Sequence, residues 1–249
     1  MASECCKTGF RWNGEPTGTE TTVAKNKAYV TGTSKSVAII LIHDIFGWTF
    51  KNLRLLADHF AEEANATVYV PDLQVAPLFG GEIPATTEMM DDEEQRNKFD
   101  FAVFVQKHGK QVRWPEIEAC AQALKSEFPK VGAIGYCYGA WACFKLAADP
   151  SLIDAVSVAH PSLLENNEID GLKVPVQIVA PENDFVFTSE LKEYSNKVIP
   201  TLGIPYEYVY FPGVSHGFAA RGDVNDKVQK EALERAKRSA VNFFNEFLH

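Results

Sequence analysis

No apolar run in this 249-residue chain approaches the length of a membrane span; the best, Val37 to Ile42, is strand-sized. Basic residues are in deficit: 24 Lys and Arg stand against 33 Asp and Glu, a net charge of −9. Nucleic acid and anionic membranes reward basic faces, so neither is expected as a partner. Cysteine is sparse and its count of five is odd: Cys5, Cys6, Cys120, Cys137 and Cys143. The opening stretch MASECCKTGFRW lacks the apolar core of a secretory signal and the Arg/Ser-rich amphipathicity of a transit peptide. An odd set of thiols in that context reads as reduced cysteine in a cytoplasmic protein. No Cys/His spacing of the metal-binding kind accompanies Cys5–Cys6, and no metal is expected. Internal repeats, low-complexity segments and linker-like breaks are missing too, so residues 1–249 read as one domain. With 46% hydrophobic and 23% charged residues, a domain of this length buries a core without a metal or disulfide.

What is present is an alternation of short β-branched runs with longer helical patterns. It predicts an α/β fold, a mostly parallel sheet with helices on both faces. VAIILI (37–42) is an unbroken apolar run, as expected of a strand buried on both sides. Further strands are expected at 67–70, 131–135, 155–159, 176–180 and 206–210. Leu53, Leu56, Phe60 and Ala64 recur at helical spacing from Asn52 to Ala64. Residues 73–90 are loop-like and a charged helix is expected from Asp91 through Val105. The excursion 73–110 is therefore a candidate lid or substrate loop. Pro115 fits the first turn of a helix running to about Phe128. The last helix is expected from Asn225 to Leu248, with Val228, Ala232, Ala236, Ala240 and Phe244 on one stripe.

The informative segment is VGAIGYCYGAW (131–141): a strand, then Gly135-Tyr136-Cys137-Tyr138-Gly139, then a helix. It matches the nucleophile elbow G-x-S-x-G, with cysteine in place of serine. A nucleophile at the tip of such a turn holds a strained backbone, and its neighbours two away must lack bulk. The helix N-terminus that follows points N–H groups and a positive dipole end at the sulfur, favouring thiolate. Cys120 and Cys143 lack this setting and read as core.

A cysteine nucleophile needs a base, and the base an orienting carboxylate, in the chain order acid then histidine. Asp184 follows the strand VPVQIVA, in PENDF; His216 follows YEYVYF, in PGVSHGF. Both fall at the sheet edge where Cys137 sits and where open α/β sheets keep ligand crevices. Glu182 shares the loop with Asp184. His160, in AHPS after another strand, competes with His216. His43 reads as a satisfied core histidine, His59 and His108 as surface helix residues, and His249 is terminal. The loop His43-Asp44-Ile45-Phe46-Gly47 supplies the second oxyanion donor, so the backbone N–H groups of Ile45 and Tyr138 are the candidate pair.

These residues resemble the dienelactone hydrolase family, of the α/β-hydrolase fold. The matching segments are HDIFGW (43–48), VPDL (70–73), GYCYGAW (135–141), the acid in PENDF (181–185) and SHGFAARG (215–222). CCKTGFRWNGEPTG looks like a leader of eukaryotic, particularly fungal, members. The resemblance implies a Cys–His–Asp triad of Cys137, His216 and Asp184. It also implies that an acid at Asp44 contacts the thiol and modulates its ionisation. The family's usual residue there is Glu, one methylene longer. A carboxylate beside the sulfur opposes thiolate, against the helix dipole and imidazolium. Bacterial members hold a substrate carboxylate with two arginines. Arg221 is a candidate for one, displaced by a residue; the loop QVAPLFGGE (74–82), where the other belongs, has none. That absence weakens selection for an anionic lactone, and Leu78 and Phe79 suit a more apolar or aromatic substrate. His160, Phe46 and Trp48 are further candidate substrate contacts.

The expected chemistry is hydrolysis of a small-molecule ester or lactone through a thioester acyl-enzyme, with no metal or organic cofactor, by a monomer or homodimer. The alternatives are a thioesterase or acyltransferase on the same triad, or a non-catalytic scaffold of the same fold.

Overall fold

Side chains alternate between the two faces of a strand, so a strand with every residue buried must be covered on both sides. Val37–Ile42 (β3) is such a strand. In the computed structural model, which describes residues 9–73, 94 and 100–249, it lies within an eight-stranded sheet. The other strands are β1 (Thr19–Val23), β2 (Asn26–Thr31), β4 (Thr67–Pro71), β5 (Lys130–Tyr136), β6 (Ala155–Ala159), β7 (Val176–Asn183) and β8 (Tyr206–Ser215). Their order is β1-β2-β4-β3-β5-β6-β7-β8. The strands from β4 to β8 in that order are parallel, while β2 pairs antiparallel with both β1 and β4. The β1–β2 hairpin carries no expectation from the sequence, because TETTV is exposed at all but its last residue and shows no apolar alternation.

Eight helices are described: α1 (Lys51–Glu63), α2 (Phe101–His108), α3 (Lys110–Glu127), α4 (Ala140–Ala147), α5 (Asn166–Asp170), α6 (Ser189–Val198), α7 (Phe218–Arg221) and α8 (Lys227–Leu248). Helix α1 packs on α8, and α3 on α4. The buried stripe of α8 is Leu233, Ala236, Ala240 and Phe244, with Val241, Phe243 and Leu248 beside it. Val228 does not belong to that stripe: it is 53% exposed, in a first turn that projects beyond the packed face. Pro115 lies inside α3, not in its first turn, because the helix starts at Lys110 and accepts one missing N–H donor. Much of the excursion 73–110, with Leu78 and Phe79 and the helix expected from Asp91, lies outside the described residues, as do Cys5 and Cys6. Its described end is α2, whose N-terminal N–H groups are capped by the Asp100 carboxylate. Among the described residues, no helix is long and apolar enough to cross a membrane.

The segment ahead of β1 is sewn down by Asn52, a fully buried residue of α1. Its amide donates to the carbonyls of Phe10 (2.7 Å) and Ala220 (2.9 Å) and accepts the Trp12 N–H at 2.9 Å. The Trp12 indole donates to the Gly222 carbonyl at 2.9 Å, and the Phe10 N–H to the Arg221 carbonyl at 3.0 Å. Residues 10–12 are thereby tied to the segment just after the His216 turn.

Candidate active site

Strand register decides which residues meet at the carboxyl edge of the sheet. Ile42 pairs with Gly135, so His43 and Asp44 leave β3 beside Tyr136 and Cys137. Tyr136 pairs with Ala159, which brings the turn after β6 to the other side of Cys137. Between β7 and β8 the register shifts at Pro181/Asn183, and Asn183 then pairs with Ser215. That bulge aligns the next residues, Asp184 and His216, and the His216 N–H donates to the Asn183 carbonyl at 3.1 Å.

Cys137 occupies the left-handed region with φ +49°, a conformation that strains any residue with a Cβ. Its neighbours allow the turn. A Cβ on Gly139 would lie 2.2 Å from the Ile42 carbonyl oxygen, and one on Gly135 would lie 2.6 Å from the Gly139 oxygen. Cys137 opens a single 3-10 turn that runs into α4, so Tyr138 contributes one of the first N–H groups of a helix start. Cys137 is 3% exposed.

Beside it, His216 Nδ1 and Asp184 Oδ2 are 2.9 Å apart, with both side chains fully buried. Asp184 Oδ1 accepts the N–H groups of Val186 (2.9 Å) and Phe187 (3.0 Å), which fixes the carboxylate and leaves Oδ2 for the imidazole. Glu182, the competing acid, instead accepts the Gly213 N–H at 2.7 Å. Burial alone would depress the His216 imidazolium, but the Cys137 thiolate charge and the Asp184 hydrogen bond outweigh it and push its pKa up to about 10. A side-chain hydrogen bond between His216 and Cys137 raises it further, and the remaining nitrogen, Nε2, is buried.

The Asp44 carboxylate is fully buried. Oδ1 accepts the Phe46 N–H at 2.9 Å, and Oδ2 is 3.1 Å from Arg221 Nε, whose side chain is 1% exposed. Burial raises the Asp44 pKa, the Arg221 charge lowers it and the Cys137 charge raises it, with a net value of about 6. The Arg221 guanidinium also lies 4.9 Å from the centre of the Phe46 ring. It fits under the His216 turn because Gly217 has φ +91° and no side chain; a Cβ there would lie 2.7 Å from the guanidinium. Arg221, a candidate substrate contact from the sequence, is thus paired with Asp44, and Phe46 packs against both Arg221 and Phe50. Trp48 is partly buried, with the Arg54 guanidinium 4.8 Å from its ring.

His43 is the core histidine the sequence suggested. Nδ1 donates to the Asp44 carbonyl at 2.7 Å and Nε2 accepts the Leu73 N–H at 3.3 Å, so the neutral ring ties the end of β4 to the Asp44 loop. His108 is corrected: it is fully buried, accepts from Arg113 at 3.0 Å, and burial followed by the Arg113 charge pushes its pKa down to about 4. Spacing placed it on a surface because the packing of α2 against Tyr138, whose hydroxyl donates to the His108 carbonyl, has no local signal. His160 is fully buried with φ +39°, its ring 4.9 Å from that of His216. Neither ring nitrogen has a partner among the described residues, and burial holds it neutral, so it lacks the carboxylate that His216 has. Two residues at the site carried no expectation. Ser162 Oγ lies 3.7 Å from Cys137 Sγ, and Phe185, 46% exposed, has its ring 6.0 Å from the His216 ring.

The His216 environment has a consequence for pH. A folded-state value raised from 6.5 to about 10 means that the protonated imidazole contributes its full stabilisation below pH 6.5. The contribution is lost as pH rises through about 10. Removing the sulfur charge in Cys137→Ala should lower the His216 midpoint and move that loss to lower pH. Imidazole NMR titration of both proteins reads the shift, and a midpoint unmoved by the substitution would refute the assignment of its cause.

The dienelactone hydrolase family matches residues 26–248. The hydrolase tropI of Talaromyces stipitatus is 31% identical over 99% of this chain and 97% of its own. The carboxymethylenebutenolidase homolog of Homo sapiens is 27% identical over 100% of both chains. A dienelactone hydrolase-like promiscuous phosphotriesterase from metagenomic libraries has the same fold, with a TM-score of 0.66 at 16% identity, covering 93% of this chain and 97% of that one. With a match that runs from β2 to the last helix, the chain belongs to the dienelactone hydrolase family of carboxylic ester and lactone hydrolases.

Proposed function

We propose that the protein hydrolyses a small ester or lactone through a Cys137–His216–Asp184 triad and a thioester acyl-enzyme. The observation that carries this reading is the fully buried 2.9 Å His216–Asp184 contact beside a cysteine in left-handed conformation. The Cys137 thiolate attacks the carbonyl carbon, and the oxyanion is held by the N–H groups of Ile45 and Tyr138. As the ester C–O bond breaks, the His216 imidazolium gives its Nε2 proton to the leaving alkoxide. Neutral His216 then takes a proton from water, hydroxide attacks the thioester, and the C–S bond breaks to return thiolate and imidazolium. Asp184 keeps Nδ1 protonated throughout, so Nε2 is the nitrogen that exchanges protons.

Asp44 acts as the acid that modulates the thiol, and its pairing with Arg221 keeps that charge balanced within the protein. With Arg221 engaged there, we assign the site to neutral rather than anionic substrates, with Phe185 at its mouth and His160 behind the base. Incubation with p-nitrophenyl acetate or a neutral lactone, quenching in acid and peptide mass analysis should find the acyl group on the Cys137 peptide. Turnover with an acyl group elsewhere, or with none trapped at any quench time, would sink the mechanism. Added hydroxylamine should accelerate product release only if thioester breakdown limits turnover.

A further inference from the structure

The turn after β6 grips the nucleophile at two points. The Ser162 N–H donates to the Cys137 carbonyl at 3.0 Å, and Ser162 Oγ lies 3.7 Å from Cys137 Sγ. Ser162 is 5% exposed, and its hydroxyl makes no other hydrogen bond among the described residues. The turn itself is anchored: the His160 N–H donates to the Val179 carbonyl at 2.9 Å, His160 reverses the chain in left-handed conformation, and Pro161 restricts the link to Ser162. The hydroxyl is therefore positioned with respect to the sulfur by backbone, and does not depend on a mobile loop.

The direction of the Sγ–Oγ hydrogen bond depends on the charge of the sulfur. A neutral thiol can donate to the hydroxyl oxygen, whereas a thiolate can only accept, so ionisation turns the hydroxyl into the donor. Hydrogen bonds to an ionised partner are the stronger kind, and the exchange favours thiolate. The need for such a donor is local: at 3% exposure Cys137 has little access to water, and the buried Asp44 carboxylate nearby opposes a second negative charge.

We propose that Ser162 is a further catalytic residue, whose hydroxyl donates a hydrogen bond to the Cys137 thiolate and holds it ionised for attack. The inference rests on Cys137 being the nucleophile. The same donor serves both halves of the reaction. In acylation the sulfur gives its electron pair to the new C–S bond and the hydrogen bond weakens; when the C–S bond breaks in deacylation the pair returns to sulfur and the hydroxyl donates again.

The test compares the wild type with Ser162→Ala, which deletes one oxygen from a buried site, after melting curves show that both are folded. The rate of Cys137 alkylation by iodoacetamide is measured against pH, together with kcat/KM for p-nitrophenyl acetate. Ser162→Ala should move the alkylation midpoint up by about one pH unit, making the reaction about tenfold slower below the midpoint, with a parallel loss in kcat/KM. A midpoint equal to the wild type's, in a wild type whose Cys137 is alkylated and required for hydrolysis, overturns the role of Ser162 alone. Full hydrolysis by Cys137→Ala overturns the nucleophile assignment and the proposal with it.

Discussion

Replacing Cys137 with alanine is expected to lower kcat/KM for p-nitrophenyl acetate by about 10⁴-fold or more, to a rate set by whatever the oxyanion donors accelerate alone. The loss is large because no other described nucleophile can take its place. Ser162, whose hydroxyl lies 3.7 Å from the sulfur, has no hydrogen bond to a base among the described residues. The fold should survive: alanine keeps the Cβ and the φ of +49°, and the position is already buried at 3% exposure. Stopped assays on the folded variant decide the matter, and retention of more than a few per cent of wild-type activity would remove Cys137 from the mechanism.

The second large effect is expected at Asp184. Because Oδ1 is committed to the Val186 and Phe187 N–H groups, Oδ2 faces His216 Nδ1 at 2.9 Å with no other acceptor to share the task. Asparagine in the same pose turns an NH₂ group toward Nδ1, favouring the tautomer with its proton on Nε2, where the base needs a lone pair. A fall in kcat of about 10⁴-fold is expected for Asp184→Asn, with KM little changed, as for other carboxylates that orient a catalytic imidazole. Equal losses spread over KM would point to a binding role. Asp184→Glu separates charge from geometry: it keeps the carboxylate but lengthens the arm, and should recover only part of the rate.

The candidate triad was legible where it depends on local geometry. An elbow requires glycine at fixed offsets and a strand followed by a helix, so Cys137 stood out, and the order acid then histidine pointed to Asp184 and His216. The α/β class followed from the buried runs of β3, β5 and β6. What could not be read depends on contacts between distant segments. Ser162 is brought to the sulfur by the Tyr136–Ala159 register and a left-handed His160, neither of which leaves a pattern in HPS. Arg221 was a candidate substrate contact, but the motif gives its place in the chain and not the direction of the α7 side chain, which turns inward to Asp44. His108 looked solvated because helix α2 is short and its neighbours in sequence are polar. The β1–β2 hairpin was invisible for the opposite reason: an edge strand exposed on most of its length has no hydrophobic alternation to detect.

The bonds from residues 10–12 bear on how the site opens. β8 stands at the edge of the sheet with a single neighbouring strand, the kind of element that ordinarily frays first and exchanges its amide hydrogens through small local openings. His216 and Arg221 both follow it, so fraying there would part the imidazole from the sulfur while most of the protein stayed folded. The Trp12–Gly222 hydrogen bond joins positions 210 residues apart, and Asn52 holds Phe10 and Ala220 together. Opening the edge must also break this latch to α1, on the far side of the central strands from β8. The edge is thereby merged into a larger cooperative unit, and His216 is kept in register with Cys137 by residues drawn from distant parts of the chain.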